Sequence, residues 1–370
     1  MSALAHHPGR KRTGAACRGA VNVARHSQTD TLFPMGAPTS VANAGFGDET
    51  VSARVQHSML QIEELIGTEL IAADAVLREV VSQRTGSAAS RFRPLFTVLA
   101  AQLGPYPEAQ QVSVAGSVIE LVHLATLNHH GVLDDSAIHR GTDWATARWH
   151  NNIAILAGDY LFATASRLVA RLGPDAVRVI ADTFARMTTG QMRQRCSPGS
   201  DGDVIEHYLR IADEKTACLI AAAGQFGATV SGGGQRHVER LRQLGRLVGL
   251  VYQIAQDIRA ISTESVGTNP ITSADLRVGA HSLPVAYALR ERGFRSDRLR
   301  RVLALRLTEE SWAEARQLVG SSSGIAMAQQ TLRRYAARAQ ESLSVFADTP
   351  ERRAMAALVD RLVAADGSLY

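Results

Sequence analysis

Apolar residues recur at helical spacing through almost the whole chain, and this periodicity limits the folds open to it. In one early segment, Met59, Ile62, Ile66 and Leu70 lie three or four residues apart. Clusters of glycine and serine separate such segments, and no alternating strand pattern lies between them. Aromatic residues make up only 5% of the chain, which also favours helix over sheet. The pattern predicts one all-α domain of about ten or more helices.

The first 50 residues differ in composition from the rest. Residues 1–34 contain five basic side chains and one acidic side chain, and so carry most of the net charge of +5. They lack the apolar core of a secretory signal. We predict a disordered basic tail over residues 1–50 and a helical domain over residues 51–370. A true start at Met35 and an organellar targeting peptide are the alternatives for the tail.

Composition also predicts a compartment and excludes some partners. The cysteines Cys17, Cys196 and Cys218 are odd in number and lack the spacing of a metal or redox site. We therefore expect a cytoplasmic protein without a disulfide framework. Because the basicity is concentrated in the tail, no nucleic-acid partner is predicted. We expect no membrane span, because no stretch reaches the roughly 18 apolar residues that one needs.

Several short motifs carry candidate chemistry. One is residues 129–136, His-His-Gly-Val-Leu-Asp-Asp-Ser, and another is residues 252–260, Tyr-Gln-Ile-Ala-Gln-Asp-Ile-Arg-Ala. The others are Arg91-Phe92-Arg93-Pro94-Leu95, Glu120-Leu121-Val122-His123, Thr189-Gly190-Gln191-Met192, Glu214-Lys215-Thr216 and Gly279-Ala280-His281-Ser282-Leu283-Pro284. From about residue 51 onward, this set resembles the trans-isoprenyl diphosphate synthase (polyprenyl synthetase) family.

The resemblance implies an isoprenoid-synthase-like helical bundle around a central cavity for prenyl diphosphates. In this family an allylic diphosphate ionises, and the double bond of isopentenyl diphosphate attacks the carbocation. The family forms dimers, and we expect a homodimer or a heterodimer with an intact synthase. Its members carry a DDxxD motif on each of two facing helices, so that Mg²⁺ bridges carboxylates to phosphate oxygens.

The resemblance assigns Asp134 and Asp257 as catalytic metal ligands. At the other expected aspartate positions stand His130, Gln256 and Ala260, so we predict a weakened Mg²⁺ site. His130 and Asp134 lie at i and i+4, on one face of a helix. They are either a transition-metal pair or a lost aspartate whose replacement pairs with Asp134.

Diphosphate contacts follow from the same motifs. Arg93, His123 and Arg140 match the isopentenyl side of the family's site, whereas Lys215, Thr216 and Gln253 match the allylic side. Lys215 also has a catalytic role by this resemblance. The chain has only two lysines, and a lysine kept among so many arginines indicates a need for a compact ammonium group.

The size of the predicted prenyl tunnel depends on the residues before the first motif. Ala125 and Thr126 are small where a large aromatic residue would close the tunnel in this family. The resemblance therefore implies room for a long prenyl chain, of C20 or more by family analogy.

Three functions are consistent with these motifs. The first is a prenyltransferase, or an enzyme of related terpene chemistry, with a weakened Mg²⁺ cluster. The second is a catalytically silent regulatory subunit of an intact prenyl diphosphate synthase. The third is a decayed copy without a role.

Overall fold

Helices make up the regular structure of this protein wherever it is described. The computed structural model describes residues 46–71, 91–133, 144–196, 202–262, 281–304 and 308–364, without the side chains of 131–133, 144–150 and 309, and these ranges contain no strand. The helices are α1 (Glu49–Ile71), α2 (Phe92–Gln102), α3 (Gln110–Leu133), α4 (Trp144–Ala170), α5 (Pro174–Arg193), α6 (Val204–Ala212), α7 (Cys218–Val230), α8 (Gln235–Ser262), α9 (Leu283–Arg290), α10 (Phe294–Ala304), α11 (Glu309–Gly320), α12 (Gly324–Leu343) and α13 (Pro350–Ala364). The all-α prediction is confirmed.

The described residues all belong to the unit Met35–Tyr370. Helix α1 begins at Glu49, just before the predicted start of the domain at residue 51. The predicted tail lies almost wholly outside the described residues, and it stays a prediction.

Helix α7 is buried on nearly every side because its sequence is apolar on nearly every face. All but one of residues 218–228 are buried. A Cβ on Gly224 would lie 2.3 Å from the carbonyl oxygen of Leu241 in α8, and one on Gly227 would lie 2.3 Å from that of Thr97 in α2. These two glycines allow α8 and α2 to pack directly on the backbone of α7.

A single π-helical turn, Asp213–Ala217, joins α6 to α7. A Cβ on Gly190 of α5 would lie 2.8 Å from the backbone nitrogen of Lys215, and one on Gly249 of α8 would lie 2.5 Å from the Cα of Ala217. Glycine at both positions therefore lets two helices approach the turn closely. Such π-turns are frequent at functional sites.

Four arginines pair with the two carboxylates of this turn. Asp213 accepts hydrogen bonds from two of them and Glu214 from the other two, and both carboxylates are largely buried. The donors are Arg186 and Arg193 of α5, Arg210 of α6 and Arg246 of α8. The ion pairs thus fix the turn to the three helices around it.

Buried charges also join the first three helices. Arg91, just before α2, donates from Nη2 to Glu63 Oε2 of α1 at 3.0 Å and from Nη1 to Glu120 Oε1 of α3 at 2.8 Å. Glu120 is fully buried, and this burial raises its pKa against the opposing charge of Arg91. The fold therefore depends on Arg91 to compensate a carboxylate that water cannot reach.

A second, smaller core lies towards the C-terminus. It contains Ile261 from the end of α8, Val285 of α9, Leu299 of α10, and Trp312 and Val319 of α11, all buried. This cluster packs the short helices α9, α10 and α11 against the end of α8.

The expectation that no segment is long and apolar enough to cross a membrane needs correction. Residues Asn151–Ala170 of α4 meet both criteria, and 44% of this segment is buried within the protein. Its two charged side chains pair with other helices, Asp159 with His129 of α3 and Arg167 with Glu69 of α1. A helix that packs against a protein core can have the same length and composition, so the segment is weak evidence for a span.

Replacing Arg91 with leucine should lower the free energy of unfolding by about 3–5 kcal/mol, because Glu120 would be buried without a counter-charge. Adding Glu120→Gln to the same chain should recover part of this loss, since it removes the buried charge. Urea titration of the three proteins measures both effects.

The matched control is Arg178→Leu on α5. Arg178 pairs with Asp175 in an exposed i, i+3 arrangement, so its removal should leave the unfolding free energy unchanged within error. Equal destabilisation by Arg91→Leu and Arg178→Leu would contradict a special role for the buried pair.

Candidate active site

A chain of hydrogen bonds links the π-turn to α8 and α9. Thr216 Oγ1 donates to Gln253 Oε1 at 2.7 Å, and Gln253 Nε2 donates to Asp257 Oδ1 at 2.8 Å. The other carboxylate oxygen of Asp257 accepts the backbone N–H of Leu283, the first residue of α9, at 3.0 Å. One chain of hydrogen bonds therefore joins three of the predicted site residues, Thr216, Gln253 and Asp257.

Asp257 has a structural task in this arrangement. Both of its carboxylate oxygens accept hydrogen bonds, and only 2% of the residue is exposed. Burial raises the pKa of Asp257 to about 6, although the neighbouring Tyr208 hydroxyl and the Leu283 N–H act in the opposite direction. An acidic group at a helix N-terminus is favourable, so Asp257 helps to hold the start of α9.

Lys215 points from the π-turn to a neutral partner. Its Nζ donates to Gln194 Oε1 at 3.0 Å. The neighbouring carboxylates, Asp213 and Glu214, are each held by two arginines. The ammonium group borders a small cavity of about 20 Å³, whose lining includes one carboxylate, that of Asp257. The lining residues are Gln194, Tyr208, Ile211, Ala212, Lys215, Gln253, Asp257 and His281.

His130, at the C-terminal end of α3, lies in the same region. Burial lowers its pKa to about 3, and the charges of Lys215, Arg195 and His129 act in the same direction. Its Nε2 atom is buried and has no hydrogen-bond partner among the described residues. The imidazole is therefore neutral at physiological pH, and its Nε2 atom could still form a hydrogen bond.

His129 is used differently from its neighbour. Its Nε2 lies 3.2 Å from Asp159 Oδ1 and 3.3 Å from the carbonyl oxygen of Ile155, both on α4. A Cβ on Gly158 would lie 2.3 Å from the same nitrogen. Glycine at position 158 thus makes room for the His129 ring, which joins α3 to α4.

Arg93 and His123 form a second group of nitrogen donors and acceptors. Arg93 Nη1 lies 3.0 Å from His123 Nε2. Burial, followed by the charge of Arg93, lowers the pKa of His123 well below its usual value, so the neutral ring accepts this hydrogen bond. The Arg93 guanidinium also lies 5.5 Å from the centre of the Tyr252 ring, which stacks on Phe92 at 4.4 Å.

Each of the two groups includes a histidine of α3, His123 in one and His130 in the other. His130 acts electrostatically on His123, and Lys215 acts on His130. His123, Thr126 and His130 are spaced to lie on one face of a helix. Thr126 is partly exposed and donates to the carbonyl oxygen of His123 at 2.7 Å, whereas Ala125 is fully buried. The predicted tunnel position at Thr126 therefore lies between the two groups, and the tunnel itself stays a prediction.

Several predicted site residues are outside the described part of the chain. Asp134 and Arg140 are among them, as is the loop over residues 263–280. Of the two other departures from the family motif, Gln256 is partly exposed and Ala260 is exposed.

The resemblance implies Mg²⁺, and the described residues fit it poorly. Within them, no group of three or more histidine, cysteine, aspartate or glutamate side chains is arranged to hold a metal ion. Asp257 already accepts two hydrogen bonds, and His130 offers a nitrogen where a hard cation prefers oxygen. The transition-metal alternative for His130 and Asp134 is not tested, because Asp134 lies outside these ranges.

Four residues of the site escaped the sequence prediction. Gln194 and His281 line the cavity with Lys215, Tyr208 lies beside Asp257, and Tyr252 faces Arg93. Tyr252 and His281 stand inside motifs recognised in the sequence, which is the signal that points to them. Tyr208 and Gln194 have no such signal.

Comparison with known proteins identifies the family of this chain. The family model described as polyprenyl synthetase matches residues 74–319. A nonaprenyl diphosphate synthase of Mycobacterium tuberculosis is 48% identical over 89% of this chain and 98% of its own length. A dimethylallyltranstransferase of the same organism is 46% identical over 86% and 97%.

A solved structure shows the same fold. The geranylgeranyl pyrophosphate synthase of Corynebacterium glutamicum, in complex with calcium and isoprenyl diphosphate, has a TM-score of 0.76 and 38% identity. The similarity covers 87% of this chain and 99% of that one. The family match, the two relatives and the shared fold show that the chain belongs to the polyprenyl synthetase family.

Proposed function

We propose that this protein is a prenyltransferase of isoprenoid biosynthesis, which transfers an allylic prenyl group to isopentenyl diphosphate. The observation that carries the proposal is the pair of nitrogen-rich groups, Arg93 with His123 and Lys215 with His130, on either side of Thr126. A reaction between two diphosphates needs two such anion sites around one space. Relatives of nearly full length that are named as a synthase and a transferase support it.

The two groups bind different substrates in this proposal. Arg93 donates hydrogen bonds to the diphosphate of isopentenyl diphosphate, and His123 and Tyr252 hold its guanidinium in place. Charge-assisted hydrogen bonds of this kind are about twice as strong as neutral ones. Lys215, with Thr216 and Gln253 beside it, binds the allylic diphosphate, and Arg140 is a further diphosphate contact by resemblance.

The reaction breaks the C–O bond of the allylic substrate, and the electron pair stays on the diphosphate that leaves. The isopentenyl double bond then forms the new C–C bond to the allylic carbon, and a proton leaves the product. The Lys215 ammonium favours the first step because it stabilises the charge that develops on the leaving group. Among the described residues, Lys215 therefore has the main catalytic role in this proposal.

Magnesium remains a prediction from the family, which generally uses it. When bound, the ion would neutralise the leaving diphosphate, with Asp134 and Asp257 as the expected ligands. No step above depends on it, because the described part of the site presents too few oxygen ligands.

We also infer a cytoplasmic dimer, either a homodimer or a heterodimer with an intact synthase. Of the described cysteines, Cys196 is exposed and Cys218 is buried, and both are free thiols, as expected in a reducing compartment. Sedimentation analysis of the purified chain, alone and with an intact synthase, separates the two kinds of dimer.

Incubation with labelled isopentenyl diphosphate and allylic diphosphates of several lengths tests the proposed activity. We expect label in a longer prenyl diphosphate. Absence of product from the chain alone, with an altered product length when an intact synthase is added, would instead support the regulatory-subunit function. The names of the close relatives do not favour that alternative.

Arg93→Ala and Lys215→Ala should impair the use of different substrates. Arg93→Ala should raise the KM for isopentenyl diphosphate by about 10- to 100-fold, since a hydrogen bond to a charged group is lost. Lys215→Ala should lower kcat by roughly 100-fold, because it removes a cation from the leaving group. Steady-state kinetics with each substrate varied in turn measures both changes.

Arg298→Ala is the matched control, since Arg298 pairs with Glu314 on the exposed surface of α10 and α11. It should leave both kinetic constants unchanged. If Arg93→Ala and Lys215→Ala affected both substrates alike, the assignment of one group to each diphosphate would be wrong.

Asp257→Asn should keep the fold, whereas Asp257→Ala should destabilise it. Asparagine can still accept the Leu283 N–H, and Gln253 can rotate its amide to pair with it, whereas alanine leaves both donors unsatisfied. Thermal unfolding of the two variants separates them, and activity that survives in Asp257→Asn would support a structural rather than a ligand role.

The same carboxyl predicts a pH dependence of stability. Because the pKa of Asp257 is raised from 3.8 to about 6 in the folded protein, its stabilising contribution is complete below pH 3.8 and is lost as the pH rises through 6. As the pH rises from 3.8 to 6, the free energy of unfolding of the wild type should therefore fall by roughly 2–3 kcal/mol relative to that of Asp257→Asn. A constant difference between the two proteins from pH 4 to 7 would contradict this.

A further inference from the structure

His130 belongs to one of the two nitrogen-rich groups, but the proposed function assigns its ring no contact with a substrate. It lies where the family has a carboxylate, and its buried Nε2 has no hydrogen-bond partner among the described residues. A buried polar atom without a partner is costly. Such an atom beside a binding region is well explained if a ligand accepts or donates a hydrogen bond there.

The described charges that act on His130 are positive and would attract an anion. Lys215 of the π-turn, Arg195 after α5 and His129 of α3 all lower the pKa of His130, after burial. The pKa of His281, which lines the cavity beside Lys215, is likewise lowered by burial and then by Lys215, His207 and Arg195. Lys215 and Arg195 thus act on both His130 and His281, which come from different parts of the fold.

Among the described residues, the carboxylates on this side of the cavity already accept hydrogen bonds. Asp257 is the carboxylate in the described lining, and its two oxygens accept the N–H groups of Gln253 and Leu283. Asp213 and Glu214 are held by arginines. A hard divalent cation, which needs several oxygen ligands, finds few of them here, whereas phosphate oxygens find several nitrogen donors.

We propose that this protein binds the allylic diphosphate directly through nitrogen donors, with His130 Nε2, His281 and Lys215 Nζ contacting phosphate oxygens in the place of bridging divalent cations. The proposal rests on the proposed function for the identity of the substrate. Arg195 adds positive charge that acts on both histidines. The arrangement makes recognition of the diphosphate largely independent of Mg²⁺.

Binding should be coupled to proton uptake. His130 and His281 are neutral in the free protein because burial and the nearby cations disfavour their charged forms. An anion between them offsets the charge of Lys215 and Arg195, so each imidazole gains a proton more readily. The anion would then meet two charged donors in addition to the ammonium group.

Titration calorimetry of the full chain with inorganic pyrophosphate tests this, in excess EDTA and in excess Mg²⁺. We expect affinities within about threefold of each other in wild type, with proton uptake seen as a dependence of the heat on the buffer. His130→Asn should bind about 10- to 100-fold more weakly in EDTA, since it loses a charge-assisted contact. His130→Asp should bind poorly in EDTA and recover with Mg²⁺, since it supplies an oxygen ligand.

The control for the aspartate substitution is His57→Asp, at an exposed position of α1, which should change neither affinity nor metal dependence. His281→Asn provides a second variant should His130→Asn fail to fold, and it too should weaken binding in EDTA. Loss of pyrophosphate binding to wild type in EDTA would overturn the proposal. So would unchanged binding in both the His130 and His281 variants.

Failure of this inference differs from failure of the proposed function. Pyrophosphate binding in EDTA without incorporation of labelled isopentenyl diphosphate would support the nitrogen-donor site and overturn prenyl transfer. Incorporation that proceeds only with Mg²⁺, together with pyrophosphate binding that EDTA abolishes, would support prenyl transfer and overturn the nitrogen-donor site.

Discussion

The pairing of arginines with Asp213 and Glu214 is the interaction on which the site depends. Lys215 follows these two acidic residues directly, but adjacent residues of a helical turn do not face each other. Four arginines from α5, α6 and α8 hold both carboxylates, while the ammonium of Lys215 donates to Gln194 beside the cavity. Individual surface ion pairs contribute little, but together these four fix the turn that carries Lys215.

Backbone packing determines where that cation lies. Gly190 and Gly249 allow α5 and α8 to contact the π-turn from two sides, and the hydrogen bonds through Gln253 and Asp257 extend the contact to α9. Helix α3 places His123 and His130 on one face, so that a histidine of each proposed anion-binding group lies on a single rigid element. The site is therefore positioned by packed helices, which hold side chains more precisely than loops do.

Much of the fold could be predicted from the sequence because its signals are local. The periodic residues Met59, Ile62 and Ile66 are buried in α1 as expected. The Gly173-Pro174 pair marks the start of a helix, and Pro174 is the first residue of α5, where proline is favoured. The resemblance paired Arg93 with His123 in one half-site, and the structure places them in contact.

The rest of the site depends on contacts between distant segments. The π-turn has an ordinary helical sequence, and its geometry arises where α5 and α8 pack on it. Nothing near Asp257 in the sequence shows that the N–H of Leu283, on a later helix, occupies its second oxygen. The environment of His130 likewise depends on Lys215 and Arg195, which lie far along the chain.

A crystal structure of the protein with a non-hydrolysable allylic thiodiphosphate tests the central claim most directly. The account predicts that phosphate oxygens lie within hydrogen-bond distance of Lys215 Nζ, with the π-turn and its four arginine contacts unchanged. A diphosphate bound elsewhere, with Lys215 still donating to Gln194, would contradict it.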